Sequence, residues 1–200
     1  MLLEDGILIL ISYSMTVDIF DKSIVVDNTF RDIIVLDNFL PDDEFKGLQD
    51  LIVFNPNFSF YFQKHLNSGD TCETNYWNWY QTHTIVNHDK VYSEHYQKFL
   101  NIFIERFKQL NIYRALMRIK VNMYPYSNVI HEHAKHADLP WKHKGALFSL
   151  NTCDGFTRLY DGTKILSVAN RIMFFDPSRE HNSSSTTNSS ARYNINFNFL

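Results

Sequence analysis

A chain of 200 residues with 44% hydrophobic and 16% aromatic side chains carries enough apolar surface to close one core of ordinary size, and its six Gly and five Pro exclude collagen-like, linker-like and low-complexity architectures. A formal charge of −3, from 19 Lys and Arg against 22 Asp and Glu, supplies no global field for nucleic acid, and no local basic patch replaces it. Two cysteines far apart in sequence, Cys72 and Cys153, argue against a disulfide framework or a structural zinc cluster and point to a reducing, cytoplasmic setting.

Residues 6–13 (GILILISY) form an apolar run preceded by Glu4 and Asp5, where a secretory signal would carry basic residues, and the run is too short to span a bilayer. Residues 1–30 therefore read as an N-terminal extension, with Met15 as an alternative start, and 31–200 as the functional domain. Residues 32–39 (DIIVLDNF) have the β-branched run of a buried strand. The segment Pro41, Asp42, Asp43, Glu44 then opens a helix in which Phe45, Leu48, Leu51 and Ile52 recur at three- and four-residue intervals. The stretch 55–90 is irregular and aromatic, with Trp77, Trp79 and Tyr80 close together, and reads as loops and short strands over the core. Residues 93–110 gather Tyr96, Phe99, Leu100, Phe103, Ile104, Phe107 and Leu110 on one face of a second helix, with Ser93 as its N-cap. The helical support thus occupies 41–110 and a β-rich core 114–200.

The β-rich core is announced by short strands at roughly ten-residue spacing: RIKVNMYP (118–125), KGALFSLN (144–151), FTRLY (156–160), RIMFFD (171–176) and RYNINFNFL (192–200). Asp154-Gly155 and Asp161-Gly162 supply turns on either side of the third. The expected class is mainly β with buttressing α-helices, an antiparallel sandwich or barrel. In the last strand Tyr193, Ile195, Phe197 and Phe199 alternate with Arg192, Asn194, Asn196 and Asn198. That pattern suits a sandwich with one solvated face and equally a barrel with a polar interior. Residues 182–190 (NSSSTTNSS) read as a polar, mobile connection, and their sequons at Asn182 and Asn188 matter only in a secreted chain.

Four of the nine histidines, His131, His133, His136 and His143, crowd into a short stretch with Glu132 and Asp138, which suggests a metal. The zinc-protease pattern H-E-x-x-H fails, because His136 follows His131 by five positions and the two imidazoles would not share a helical face. What remains is the pair His136 and Asp138, whose side chains point to the same side of an extended segment. His181, after the apolar run 172–175, is the available third ligand, and two imidazoles with one carboxylate on one face of an octahedral ion are the donor set of non-haem Fe(II) oxygenases. Arg192, on the polar face of the final strand, offers a fork for a carboxylate at the far end of a dicarboxylate cosubstrate.

The order of RIKVNMYP (118–125), the His136-Ala137-Asp138 motif, the turn 151–155 (NTCDG), ANRIMFFD (169–176), His181 and Arg192 resembles the Fe(II)/2-oxoglutarate-dependent dioxygenases of the prolyl 4-hydroxylase-like group. The resemblance extends over residues 30–200, includes IVLDNFLP (34–41), and is greatest to small stand-alone bacterial and phage members. It implies a double-stranded β-helix, or jelly roll of cupin type, with His136, Asp138 and His181 binding Fe(II), Arg192 pairing with the C5 carboxylate of 2-oxoglutarate, and the Tyr124 hydroxyl reaching the cosubstrate. Fe(II), 2-oxoglutarate and O2 are the implied cofactor and cosubstrates, with ascorbate as an accessory, and succinate and CO2 leave as a substrate C–H bond is hydroxylated. One departure stands out: related enzymes often carry a Tyr where this chain has Ser149, a shorter hydroxyl for the same carboxylate. Among the other histidines, His143 reads as a hydrogen-bonded strand residue, and His131 and His133 as solvated rim residues.

Three functions stay open from the sequence: hydroxylation of a peptidyl residue such as proline, the same chemistry on a small molecule or another macromolecule, and a non-catalytic jelly-roll binding module. Neither a membrane nor a nucleic acid is an expected partner, and substrate and oligomeric state are not encoded legibly.

Overall fold

The computed structural model describes residues 9–11, 33–67, 70–71 and 75–200, so most of the expected extension 1–30, and Cys72, lie outside the described residues. The first elements are two short strands, β1 (Ile9–Ile11) and β2 (Ile34–Leu36), paired in parallel, followed by helix α1 (Asp42–Ile52). Asp42, Asp43 and Glu44 fill the first turn of α1, where the helix dipole favours negative charge, and Leu48 and Ile52 are buried. The second amphipathic stretch forms α2 (Tyr96–Phe99), a π-helical turn (Leu100–Ile104) and α3 (Glu105–Gln109) without a break. The expected capping by Ser93 does not occur in its usual form. Its Oγ meets the His83 ring at 2.8 Å and accepts from the N–H of His95, two residues on, at 3.2 Å, and the helix that starts at Tyr96 has no side-chain cap at its own N-cap residue, His95.

The remaining strands are β3 (Tyr61–Gln63), β4 (His65–Asn67), β5 (Asp70–Thr71), β6 (Tyr80–Asn87), β7 (Lys90–Val91), β8 (Leu116–Pro125), β9 (Lys144–Ser149), β10 (Phe156–Arg158), β11 (Lys164–Leu166), β12 (Arg171–Phe175), β13 (Asn182–Ser183) and β14 (Ala191–Phe199). A major sheet runs β1-β2-β12-β9-β14-β8-β6-β3, with β7 against β6, and beyond the β1–β2 pair it is antiparallel. A smaller sheet, β11-β10-β13, continues through single bridges Glu132↔Ser184 and His136↔His181 into the segment before β9. Two facing sheets with this antiparallel topology form a jelly roll.

The alternation in β14 is satisfied on both sides. Ile195, Phe197 and Phe199 are buried with Phe99, Phe103 and Phe107 of the helical stretch, Phe103 and Phe197 having ring centroids 4.7 Å apart. Arg192, Asn194, Asn196 and Asn198 are equally buried, on the opposite face, inside the roll. The barrel alternative is therefore the one adopted, and the polar face is internal.

Two expectations change. The irregular stretch 55–90 contributes the eight-residue strand β6, paired along β8 from Gln81↔Met123 to Asn87↔Arg118. Its Thr, Gln and Asn content hid a strand whose inner face is polar because it lines the roll. Residues 182–190 are more than a polar connection: 182–186 are buried, with Asn182 and Ser183 paired to β10 and Ser184 and Thr186 bridged to Glu132 and Tyr126. Their hydroxyls replace what an apolar strand would gain by burial. Ser184 Oγ accepts from Phe156 N–H at 2.8 Å, Ser185 Oγ from His131 N–H at 2.9 Å, and Asp154 accepts from Thr186 at 2.7 Å and from both the amide and hydroxyl of Thr187. Asn182 is buried as well, so its sequon offers no room for a glycan.

Candidate metal centre

Backbone pairing assembles the site. His136 N–H donates to His181 C=O and His181 N–H to His136 C=O, each at 2.9 Å, which sets the two residues directly opposite each other with ring centroids 4.7 Å apart. Asp138 N–H donates to Pro177 C=O at 2.9 Å and holds the third residue alongside. The close approach of this turn to β9 requires Gly145, where a Cβ would fall 2.7 Å from Pro177 Cγ. One candidate ligand atom from each of His136, Asp138 and His181 lies within 4.8 Å of the other two.

The protonation states suit a cation. Burial, and then the neighbouring His181, draw His136 down to about 4, so its imidazole is neutral at physiological pH. The Nδ1 of His181 faces Arg179 C=O at 3.0 Å and that of His136 faces Ala134 C=O at 3.4 Å, which leaves both Nε2 lone pairs for a metal. Burial alone would raise Asp138, but the Arg118 and Lys120 cations beside it and an amide from Asn198 hold its carboxyl below the usual carboxylate range. Arg118 lies 3.0 Å from Oδ1, while Asn198 and Asn196 donate to Oδ2 at 2.9 and 3.3 Å. A neutral His136 imidazole, the His181 ring opposite it and a firmly ionised carboxylate form a donor set suited to Fe(II).

This cluster opens on a cavity of ≈ 370 Å³, counted with its mouth, whose wall includes Lys120, Asn122, Tyr124, Leu147, Thr157 and Asn194. Tyr124 stacks between Tyr80 and His133, with centroids at 5.5 and 5.4 Å. Arg192 is only 1% exposed and does not itself form the wall. Its guanidinium donates to Phe156 C=O at 2.8 Å and to Thr157 Oγ1 at 2.7 Å, and its buried Nε has no partner. Gly155 permits this packing, since a Cβ there would lie 2.8 Å from Arg192 Cδ and 2.8 Å from Ser185 C=O. An orphaned buried donor behind a cavity-lining hydroxyl fits an anionic ligand end. Ser149 does not line the cavity; Leu147 is the residue that β9 contributes.

The other histidines divide. His143 is hydrogen-bonded as expected, to Trp141 C=O at 2.8 Å and to the Asn198 amide at 3.1 Å, so it buttresses a contact to Asp138. His133 is not a solvated rim residue: it is 3% exposed, with Nδ1 at 2.9 Å from Ser183 Oγ, because the segment before β9 pairs with the smaller sheet and turns it inward. His131 stacks flat on Trp77 at 4.4 Å. Arg118, Lys120, Asn122 and Thr157 were not singled out from sequence. Their signal was present: Arg118, Lys120, Asn122 and Tyr124 alternate with Ile119, Val121 and Met123 as the residues of β14 do.

No sequence-family model matches the chain, and no curated protein matches it. Solved structures do. A prolyl-4-hydroxylase from Pseudomonas putida superposes with a TM-score of 0.59 at 15% identity, covering 84% of this chain and 91% of that one. An oxidoreductase of the 2-oxoglutarate-Fe(II) oxygenase family from Burkholderia pseudomallei gives 0.62 at 12% identity, covering 84% of each. The non-haem α-ketoglutarate-dependent epimerase SnoN from nogalamycin biosynthesis gives 0.54 at 10%, covering 84% of this chain and 78% of that one. Among the described residues no helix is long and apolar enough to cross a membrane. The chain thus has the double-stranded β-helix fold of the 2-oxoglutarate-Fe(II) oxygenases and prolyl 4-hydroxylases, with a His-Asp-His cluster facing its internal cavity.

Proposed function

We propose that this protein is an Fe(II)- and 2-oxoglutarate-dependent oxygenase that hydroxylates a C–H bond, with a peptidyl residue such as proline as the first substrate class to test. The observation that carries the reading is the reciprocal backbone pair His136–His181, which brings two imidazoles beside an ionised Asp138 at a polar cavity. His136, Asp138 and His181 would hold the metal. Arg192, with its unpartnered Nε, and Tyr124 would hold the far carboxylate of the cosubstrate. Bound Fe(II), 2-oxoglutarate and O2 together supply the oxidising chemistry, with succinate and CO2 as coproducts. The chain's own task is to keep the ligands deprotonated, to fix the cosubstrate's direction along the roll and to exclude bulk water with buried amides and aromatic rings.

The test is anaerobic addition of Fe(II) and then 2-oxoglutarate, followed by the visible charge-transfer absorption of the chelated cosubstrate. Wild type should show the band. His136→Ala and His181→Ala should lose Fe(II) binding, and Arg192→Ala should need far more 2-oxoglutarate while retaining iron. A folded wild-type protein that binds no Fe(II), or a His136→Ala variant that binds it normally, refutes the assignment. Scoring succinate release in the presence of proline-containing peptides against small-molecule candidates then separates the peptidyl reading from the small-molecule one.

A further inference from the structure

Along the paired strands β8 and β14 the inward side chains form a ladder: Arg118 opposite Asn198, Lys120 opposite Asn196, Asn122 opposite Asn194, and Tyr124 opposite Arg192. The ladder holds three long cations, Arg118, Lys120 and Arg192. Arg118 is committed to Asp138, and Arg192 to β10 and Thr157. Lys120 is committed to nothing of the kind. It lines the cavity together with His136 and Asp138, and among the described residues no oxygen accepts a hydrogen bond from its ammonium. It feels the charge of Asp138 without a hydrogen bond to it, and its ammonium lies over the face of Tyr80, 5.6 Å from Nζ to the ring centroid. Asp138, the one carboxylate among the cavity's lining residues, is already taken by Arg118, Asn196 and Asn198, so a cavity-lining ammonium with no hydrogen-bond acceptor of its own marks a place for an anion.

The position on the ladder says which anion. Asn196, opposite Lys120, donates to Asp138, so Lys120 stands at the level of the metal ligands. Arg192 stands two register steps away, about 13 Å along the strand, with the amide layer Asn122–Asn194, itself joined by a 3.0 Å hydrogen bond, between them. The polar slot therefore has one cation at each end and neutral amides in the middle. We propose that Lys120 is the second carboxylate anchor of this site and takes the metal-proximal carboxylate of a 2-oxo acid, opposite the end reserved for Arg192. The inference rests on the cosubstrate reading above and adds a residue and a polarity to it.

Calorimetric titration of the full-length protein loaded with Mn(II), under anaerobic conditions, tests it with two ligands. One is 2-oxoglutarate; the other is 2-oxobutyrate, which keeps the 2-oxo acid group and lacks the far carboxylate. Loss of one charge-assisted contact is worth about tenfold to hundredfold in affinity. Lys120→Met should weaken both ligands by a similar factor in that range, Lys120→Arg should restore most of it, and Arg192→Met should weaken 2-oxoglutarate alone. Lys120→Met should also bind Mn(II) itself more tightly, since a cation beside the ligands is gone; a merely misfolded variant would lose both. Unchanged affinity of Lys120→Met for both 2-oxo acids overturns the inference while leaving the cosubstrate reading intact. Weakening confined to 2-oxoglutarate overturns the assigned polarity. A metal-loaded wild type that binds neither 2-oxo acid overturns the inference together with the cosubstrate reading.

Discussion

Replacing Arg118 with Met should lower the stability of the metal-free protein and raise its affinity for a divalent cation. Arg118 lies 3.0 Å from Asp138 Oδ1, the oxygen that also faces His136 Nε2 at 3.8 Å, so the guanidinium stands where it neutralises the carboxylate that a metal would use. Asp138 is 4% exposed at its side chain and Arg118 20%, which makes this a largely desolvated pair. Removing one partner of a buried pair costs about 3–5 kcal/mol. Here Asn196, Asn198 and Lys120 remain around Asp138, so a loss near or below the low end, about 2–3 kcal/mol, is expected at neutral pH. The deficit is electrostatic and should follow the charge on Asp138. With its pKa depressed in the fold, the carboxylate's contribution is complete above the unfolded value near 4 and disappears as the pH falls further. The wild-type and variant urea midpoints should therefore differ at pH 7 and converge toward pH 3. Mn(II) titrations by calorimetry should show tighter binding in the variant, because the metal replaces the missing positive charge. Equal Mn(II) affinity together with a stability gap that persists unchanged at pH 3 would refute the argument and reduce Arg118 to packing.

Gly155→Ala should act at a distance from the ligands. Its new Cβ meets both Arg192 Cδ and a backbone carbonyl, so overpacking of about 1–3 kcal/mol is expected in urea denaturation, with weakened 2-oxoglutarate binding and retained Mn(II) binding. His133 supplies a pH dependence of its own: burial first, and then Arg192, draw it down to about 3, while the unfolded chain protonates near 6.5. Between those values the unfolded state binds the extra proton, so stability falls as pH falls, by about 2 kcal/mol from pH 7 to pH 5. Urea midpoints of metal-free wild type against His133→Gln at the two pH values should show that slope shrinking in the variant, and an unchanged slope would contradict the assignment.

How much of this was legible in the sequence varies with the kind of signal. Helix α1 and the Phe-rich second helix announced themselves because their apolar residues recur at helical spacing and pack on one sheet. The strands β8, β9, β12 and β14 were legible because each carries a continuous or alternating apolar face. Strand β6 was not, since Tyr80, Thr82 and Thr84 face the interior of the roll and local pattern cannot distinguish polar-inside from polar-outside. The Ser/Thr/Asn run 182–190 failed for the same reason: its composition matches a loop, and only the acceptors and donors contributed by Asp154, Phe156 and His131 let its first half, 182–186, be buried. The spacing that singled out His136, Asp138 and His181 picked three residues that the fold does bring together, because an H-x-D pair in extended backbone puts both side chains on one side. The residues that hold Asp138 were harder, since Arg118 and Asn198 come from strands far apart in the chain and meet only through register.

That register is where core and site become a single problem. In β14 the side chain period is two, so the packing of Phe197 against Phe103 and Phe107, at 4.7 and 5.3 Å between centroids, fixes the phase in which Asn196 and Asn198 face Asp138. A slip by one residue would turn the aromatic rings toward the metal ligands and the amides into the hydrocarbon core. The cost of either misplacement protects the other: phenylalanines cannot satisfy Asp138, and buried amides without acceptors cost about 1–3 kcal/mol each. The same holds on β8, where Ile119 and Val121 are fully buried in the core while Arg118, Lys120 and Asn122 face inward. The aromatic helices therefore do more than cover the sheet. By locking the phase of two adjacent strands they hold a cation, a row of amides and a second cation in line with the metal ligands, which is the preorganisation that binding an extended dianion beside a metal requires.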